Sequence, residues 1–312
     1  MNPTYSIIAP VFNEKDCLDV LYTRVSEVMD NYGEPWELIL INDGSTDSSP
    51  EIMRRLAEKD ERIRCIYFAR NFGHQIAVTA GMDHALGEAV IVIDADLQDP
   101  PRVIIELIEK WKEGYEVVYA VRKERDGESW FKKTTASLFY RLIDKIADVR
   151  IPLDTGDFRL YDRKVIDVMK QMPEKNRFLR GMSSWVGFRQ IGVEYHREER
   201  YAGSSHYPLK KMLKLALTAI TGFSTVPLQL ALWTGCFFCG AAVIAYIINL
   251  IVHGGQGAAI SVFFMGGIIL IFLGIIGEYI GRIYEEAKGR PLYITREITQ
   301  SVYDKTESTH EN

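Results

Sequence analysis

The sequence predicts an α/β fold with a mostly parallel sheet, followed by a hairpin of two membrane helices. Five short apolar runs alternate with helical patterns in the first part of the chain. Near-continuous apolar strands separated by helices are typical of parallel sheets that are covered on both faces. Far downstream, Val226–Val252 and Ala258–Gly277 are uncharged and long enough to cross a bilayer. The chain therefore combines a folded α/β part with an apolar part.

The predicted strands are rich in β-branched residues, and residues with helical spacing lie between them. Leu18, Leu21 and Val25 recur at the interval of an amphipathic helix. Pro50 follows Ser49, which is typical of the first turn of a helix. The predicted strands are Tyr5–Val11, Trp36–Asn42, Ile63–Ala69, Ala89–Asp94 and Glu116–Val121.

Composition narrows the class of protein. The 312 residues carry a formal charge of −5, which argues against nucleic acid as a partner, because nucleic-acid binders usually present a basic surface. Asp, Glu, Lys and Arg are all absent between Lys214 and His253.

The four cysteines lack the spacing of a disulfide framework, which favours a reducing compartment. The N-terminus has no signal-like pattern, so we expect the first domain to stay in the cytosol.

Two amphipathic, basic stretches precede or adjoin the apolar part. They are Ser129–Val149 and Pro208–Gly222. Helices of this kind beside a membrane span often lie in the headgroup layer. The alternative is that each packs its apolar stripe on the globular domain.

The two long apolar segments are predicted to form a transmembrane hairpin, because only a short Gly-rich link separates them. Lysines precede the hairpin, and Arg282, Lys288 and Arg290 follow it, so both ends should face the cytoplasm. The alternative of helices buried in a soluble core fits poorly with uncharged segments of this length. Glycines in both segments permit close approach within the hairpin or between subunits.

Asp94 and Asp96 are candidate metal ligands at the end of the fourth apolar run. Ligands bind at the carboxyl ends of parallel strands, and Asn13-Glu14 and Asp43-Gly44 also follow predicted strands. Mg²⁺ and Mn²⁺ prefer oxygen ligands and commonly complete their shell with substrate phosphates. The prolines at 100 and 101 force a turn directly after this motif.

Spacing alone leaves two possible roles for each of two residues, Asp43 and His74. Asp43 would either order the turn after its strand or accept hydrogen bonds from a base or ribose. His74 would either contact a phosphate or make a structural hydrogen bond.

Three ordered blocks resemble family 2 inverting glycosyltransferases with the GT-A, Rossmann-like fold. They are Pro10–Glu14, Ile41–Asp47 and Asp94–Pro101. With Arg70–Gln75 and the C-terminal hairpin, the chain is similar to polyprenyl-phosphate glycosyltransferases, the group of bactoprenol glucosyltransferases and dolichol-phosphate mannose synthases. The resemblance covers about residues 5–300.

The resemblance implies roles for residues that spacing alone does not assign. The nucleoside pocket would be lined by Pro10, Asn13, Glu14 and Asp43. The metal and the diphosphate would be surrounded by Asp94, Asp96 and Gln98. Arg122 would lie over the donor and acceptor phosphates. The loop with Arg200, Ser204 and Ser205 would contact phosphate near the membrane. Read independently, that loop could bind an anion or be an ordinary solvated loop.

Asp157 matches the position where related enzymes place an acceptor-side carboxylate. Enzymes that glycosylate hydroxyl groups need a base there. A phosphate monoester is already anionic, so Asp157 would instead orient the acceptor or hold Arg159. The sequence leaves these roles open.

The resulting hypothesis is a metal-dependent transfer of one hexose to a polyprenyl phosphate such as undecaprenyl phosphate. We expect UDP-glucose as donor, Mg²⁺ or Mn²⁺ as cofactor, and a multi-pass protein of the cell inner membrane with both termini cytoplasmic. GDP-mannose, UDP-N-acetylglucosamine and a modified arabinose donor remain alternatives. A processive polysaccharide synthase or a non-catalytic membrane scaffold would also share the membrane helices.

The hypothesis divides the chain into five parts and allows a homo-oligomer, with a tetramer as one option. The parts are a nucleotide-sugar-binding core of residues 1–128, an acceptor-side region of 129–207, an interfacial helix of 208–225, two transmembrane helices in 226–285, and a cytoplasmic tail of 286–312.

Overall fold

A computed structural model describes residues 2–123, 155–198, 226–252 and 258–304. These residues form two compact units. The first contains residues 2–123, 155–198 and 291–304, and the second contains 226–252 and 258–290. The two predicted amphipathic helices and the residues Arg200, Ser204 and Ser205 lie outside the described ranges.

The first unit is built on an eight-stranded sheet with strand order β7-β5-β6-β4-β1-β2-β3-β8. The five predicted strands are confirmed, with small differences at their ends. The strands are β1 (Tyr5–Val11), β2 (Trp36–Asn42), β3 (Ile63–Phe68), β4 (Ala89–Val92), β5 (Val117–Arg122), β6 (Thr155–Asp162), β7 (Gln190–Tyr195) and β8 (Thr295–Ile298).

Helices flank this sheet and bury their apolar residues against it. In the first helix, Leu18, Leu21 and Val25 are completely buried, as their spacing predicted. Pro50 lies in the first turn of the second helix. The helices are α1 (Leu18–Tyr32), α2 (Ser49–Lys59), α3 (His74–His84), α4 (Val103–Lys112), α5 (Arg163–Gln171) and α6 (Leu179–Trp185).

The pairing of the strands explains why polar residues from distant segments meet at one edge. β1 pairs in parallel with β2 and β4, and β5 pairs in parallel with β7. β6 lies antiparallel between β4 and β5. The start of β6 therefore lies at the same edge as the ends of β4 and β5.

The C-terminal segment, which was predicted as a cytoplasmic tail, adds a strand to the sheet. β8 pairs antiparallel with β3, and Ser301 is buried. The buried Arg64 of β3 donates hydrogen bonds to Ser301 Oγ and to Asp304. Residues 295–304 are thus an integral edge of the sheet, because they supply the polar partners that a buried guanidinium requires.

The second unit consists of two long helices, α7 (Val226–Val252) and α8 (Ala258–Ala287). α8 continues beyond the predicted end at Gly277. Among the described residues, Met265–Ala287 is one stretch long and apolar enough to cross a membrane, and none of it is buried inside the protein. The alternative of a helix buried in a soluble core is therefore wrong for this stretch.

Candidate active site

The turn after β4 presents two carboxylates at the edge of the sheet. Asp96 is nearly buried, and its Oδ1 accepts a hydrogen bond from the backbone N–H of Gln98 at 3.2 Å. Asp94 Oδ1 is buried and receives no hydrogen bond from the described residues. A buried carboxylate oxygen without a donor is costly, and a bound cation would satisfy it. In the described ranges, no group of three or more His, Cys, Asp or Glu side chains forms a ready metal cluster.

Asp157 lies at the start of β6 and is held by three side chains. Arg180 Nε donates to its Oδ1 at 2.7 Å, and Gln75 Nε2 donates to its Oδ2 at 3.0 Å. His74 Nε2 lies 3.3 Å from Asp157 Oδ2 and 3.5 Å from Asp94 Oδ1. His74 therefore links the carboxylate that follows β4 to the carboxylate that begins β6.

The charges in this cluster are set by their neighbours. Burial acts to raise the pKa of Asp157, but the Arg180 charge and the hydrogen bond from His74 hold that pKa well below its usual range. Burial acts to lower the pKa of His74, but Asp157 and Asp94 outweigh it and raise the pKa to about 9. At neutral pH Asp157 is thus an anion and His74 a cation. An anion with so low a pKa is suited to orienting groups rather than to removing protons.

Arg159 is not the partner of Asp157, contrary to one of the roles considered for that residue. Its guanidinium is buried and bonds instead to Gly156 O, Ser183 Oγ and Thr155 Oγ1. Oxygens of β6 and α6 satisfy the Arg159 guanidinium, so the partners of Asp157 are Arg180, Gln75 and His74.

The ends of β1 and β2 are joined by a polar network. Asn13 Oδ1 accepts from the backbone N–H of Thr46 at 2.8 Å, and the backbone N–H of Glu14 donates to Ser49 Oγ at 3.0 Å. Asn13 has a φ of 58°, a conformation that Asn tolerates better than most residues. Pro10 is a buried residue of β1 and pairs in register with Ile41. This network joins Asn13 and Glu14, two of the four residues predicted for the nucleoside pocket, to the segment that follows β2.

Asp43 orders the loop that leads to His74. Its buried carboxylate accepts from the backbone N–H groups of Phe72 at 2.6 Å and of Gly73 at 3.0 Å. Gly44 has a φ of +71°, and a Cβ there would lie 2.6 Å from the backbone nitrogen of Asn71. Close packing of these two loops fixes the start of α3, where His74 and Gln75 lie. The bonds seen here order the loop before α3 rather than the turn after β2, and binding of a base or ribose by Asp43 stays a prediction.

Arg122 ends β5 beside the start of β6. Its Nε donates to the hydroxyl of Tyr195 at 3.4 Å. A Cβ at Gly156 would lie 2.7 Å from Arg122 Nη2, so the guanidinium lies directly against the backbone next to Asp157. Arg122, Asp157, His74 and Asp94 are therefore brought to one edge of the sheet.

Sequence reasoning missed Arg180 and Gln75. Gln75 also accepts from the backbone N–H of Leu179 at 3.0 Å, so it connects α3 to α6 as well as to Asp157. Gln75 closes the block Arg70–Gln75 that carried part of the resemblance, but only the tertiary arrangement brings Gln75 and Arg180 to Asp157.

Comparison with known protein families identifies the family to which this chain belongs. The profile described as glycosyl transferase family 2 matches residues 6–169. The chain is a family 2 glycosyltransferase. A second profile, described as the GtrB C-terminal hairpin, matches residues 226–283 of this glycosyltransferase. Its mostly parallel mixed sheet has the GT-A fold that the sequence predicted.

Relatives span almost the whole glycosyltransferase. An uncharacterized glycosyltransferase, YkcC of Bacillus subtilis, is 55% identical over 94% of this chain and 93% of its own. The bactoprenol glucosyl transferase of Shigella phage SfV is 43% identical over 95% of this chain and 99% of its own. Among solved structures, glucosyl-3-phosphoglycerate synthase from Mycobacterium tuberculosis is 19% identical, with a TM-score of 0.47 over 70% of this chain and 78% of that chain.

Proposed function

We propose that this enzyme transfers a single glucosyl group from UDP-glucose to a polyprenyl phosphate at the cytosolic face of the membrane. The carrying observation is the 43% identity to a bactoprenol glucosyl transferase over 95% of this chain. That similarity includes both the family 2 core and the matched C-terminal hairpin. A lipid acceptor explains why the catalytic domain is joined to an apolar hairpin, whereas a soluble acceptor does not.

The proposed reaction is one displacement with inversion. A phosphate oxygen of the acceptor attacks the anomeric carbon, a new C–O bond forms, and the bond from that carbon to UDP breaks. UDP leaves with the electron pair. Because the attacking oxygen is already anionic near neutral pH, no residue has to remove a proton.

The residues at the edge of the sheet suit a displacement in which no side chain removes a proton. Asp157 is anchored by Arg180 and Gln75, so it can orient the acceptor or hold His74 without titrating. The cationic His74 lies between Asp94 and Asp157 and can contact a phosphate oxygen. Arg122 supplies a second fixed cation at the same edge.

A divalent cation, Mg²⁺ or Mn²⁺, fits the turn after β4. Asp94, Asp96 and Gln98 offer oxygen ligands, and the buried Asp94 Oδ1 lacks a donor among the described residues. Such ions are commonly held by one or two carboxylates together with substrate phosphates, so a full protein cluster is unnecessary. When bound, the ion would neutralise charge on the departing diphosphate.

The membrane arrangement extends the proposal. We expect α7 and α8 to cross the cell inner membrane as a hairpin, with the catalytic domain and both termini in the cytoplasm. Glycines of both helices suit close helix contacts, so a homo-oligomer is part of the proposal, with a tetramer as one option.

Transfer assays with the purified full-length protein test the function. UDP-[¹⁴C]glucose, undecaprenyl phosphate and either metal should give a lipid product that carries one glucose. GDP-mannose, UDP-N-acetylglucosamine and a modified arabinose donor serve as alternatives. Transfer from only one of these nucleotide sugars would assign that compound as the donor in place of UDP-glucose. Chains of several sugars would favour the processive synthase, and absence of transfer from every donor would refute the proposal.

A further inference from the structure

A buried carboxylate close to the proposed metal turn is not used by the proposed mechanism. Asp99 lies three residues beyond Asp96, and its side chain is completely inaccessible to solvent. The Tyr195 hydroxyl donates a hydrogen bond to Asp99 Oδ1. Arg197 Nε lies 3.5 Å from the same oxygen. An ionised carboxylate at such a place is expensive unless its partners fix it, so its role needs an explanation.

Tyr195 connects Asp99 to Arg122. Its hydroxyl accepts from Arg122 Nε at 3.4 Å while it donates to Asp99, so the three groups form one directional chain of hydrogen bonds. Tyr195 and Arg122 are register partners at the ends of β7 and β5. The Tyr195 ring is also held edge-on against Phe158, with centroids 5.9 Å apart. Burial and the Asp99 charge raise the pKa of Tyr195, so its hydroxyl keeps the proton that it donates.

The segment after β7 is fastened to the metal turn at a second point. The backbone N–H of Glu198 donates to Gln98 O at 2.9 Å. The Glu198 carboxylate pairs with Arg24 Nη1 of α1 at 3.0 Å. The turn that carries Asp94 and Asp96 is therefore tied to the end of β7 through both its backbone and Asp99.

We infer that Asp99 and Tyr195 are positioning residues that fix the Arg122 guanidinium toward the diphosphate of a nucleotide bound at the metal turn. Arg122 Nε is directed to Tyr195, and Nη2 lies against Gly156 beside Asp157, so its orientation is set on two sides. An arginine held in this way presents its remaining N–H groups to phosphate without having to be ordered first. The inference rests on the proposed function in one respect, namely that a nucleoside diphosphate binds at this turn.

The experiment is a double-mutant cycle on UDP binding, measured by isothermal titration calorimetry with the full-length protein, MnCl₂ and no acceptor. Tyr195→Phe and Arg122→Ala are made singly and together. We expect Tyr195→Phe to weaken UDP binding by about tenfold, the value of one charge-assisted hydrogen bond. In the Arg122→Ala background the same change should alter the dissociation constant by less than about twofold.

Two further variants sharpen the result. Tyr67→Phe removes the hydroxyl of an equally buried tyrosine, on β3, and should leave UDP binding unchanged. Asp99→Asn keeps the shape of the side chain and tests the chain of hydrogen bonds from its other end, including the case that Tyr195→Phe fails to fold. Asp99→Asn should also weaken UDP binding in the wild-type background and leave it unchanged in the Arg122→Ala background.

The outcomes separate the inference from the proposed function. Equal loss of affinity in both backgrounds would mean that Tyr195 and Asp99 act only on the fold, and would overturn the inference. If the wild-type protein bound UDP but neither variant changed the affinity, the inference would also be wrong. Failure of the wild-type protein to bind UDP or GDP with Mn²⁺ would instead overturn the proposed donor chemistry, and the inference with it.

Discussion

Asp157 is a residue whose charge depends on three side chains from two other elements. Arg180 comes from α6 and Gln75 and His74 from α3, while Asp157 itself begins β6. Its position in the sequence indicated an acceptor-side carboxylate, but not whether it acts as a base. The low pKa that Arg180 imposes favours orientation over proton removal.

Arg180→Gln should reduce the rate of transfer while the protein stays folded. Loss of the 2.7 Å ion pair leaves Asp157 free to shift, and small displacements near a reacting centre cost about 10- to 100-fold in kcat. Steady-state kinetics with saturating donor and lipid acceptor measure the change.

Arg55→Gln provides the control for that variant, because its ion pair with Asp19 is exposed and joins α2 to α1. Its kcat should equal that of the wild type. An unchanged kcat in Arg180→Gln would show that the ion pair to Asp157 has no part in the reaction.

Asp96→Ala should abolish sugar transfer, by about 10³-fold, because the proposed cation would lose one of its carboxylates. The variant should still fractionate with membranes in the same amount as the wild type. Radiolabelled transfer and membrane fractionation measure the two properties separately. Asp19→Ala, at an exposed site on α1, is the control, and full activity of Asp96→Ala would refute the metal assignment.

Strand-end motifs could be found from the sequence because parallel strands deliver their ends to one edge. Asp94, Asp96 and Asn13 follow apolar runs, so their location at the carboxyl ends of strands could be predicted. The contacts of Arg180, Gln75 and Tyr195 could not be found in this way. These residues reach the edge through helix packing and strand order, which a single sequence does not fix.

At the scale of elements, β1 to β5 could be predicted because buried parallel strands are apolar throughout. β6 carries Asp157 and the buried Arg159, so its composition resembles that of a loop. Its charges are tolerated because Arg159 is bonded to Ser183 and Thr155. β8 is only four residues long and mostly exposed, so it has no apolar pattern to detect.

The pairing of β8 with β3 predicts a stability effect at Asp304. Asp304→Ala should lower the free energy of unfolding by about 2 kcal/mol, because the buried Arg64 loses a charged partner while the Glu37 carboxylate lies 3.9 Å away. Urea denaturation of the full chain in detergent, followed by tryptophan fluorescence, measures the effect.

Glu297→Ala is the matched control, since Glu297 lies in β8 and pairs with the exposed Arg54. Exposed ion pairs contribute little, so the free energy of unfolding should change by less than about 1 kcal/mol. Equal effects of the two substitutions would contradict a special role for the buried Arg64.

At the scale of the whole molecule, a soluble-type α/β unit and an apolar helical unit share one chain. The length and lack of charge in 226–252 and 258–277 made the second unit predictable from sequence. The participation of 295–304 in the sheet was not predictable, because pairing with β3 requires the folded first unit.

Topology fusions test the proposed arrangement in the membrane. Alkaline phosphatase fused after Gly255 should be active, and the same enzyme fused after Asn312 should be inactive, because the link of the hairpin would face away from the cytoplasm. A fluorescent protein at Asn312 should give the reverse result, with strong fluorescence. Phosphatase activity at Asn312 would mean that the chain crosses the membrane differently.

The antiparallel placement of β6 has an evolutionary consequence. β5 ends at Arg122 and β6 begins at Thr155, and Val121 and Thr155 are register partners. Because these two strand ends are adjacent, a change in the length or sequence of the residues that connect them need not alter the strand order. Natural selection could therefore vary the connecting residues, while descendants with different acceptors inherit the same carboxylates.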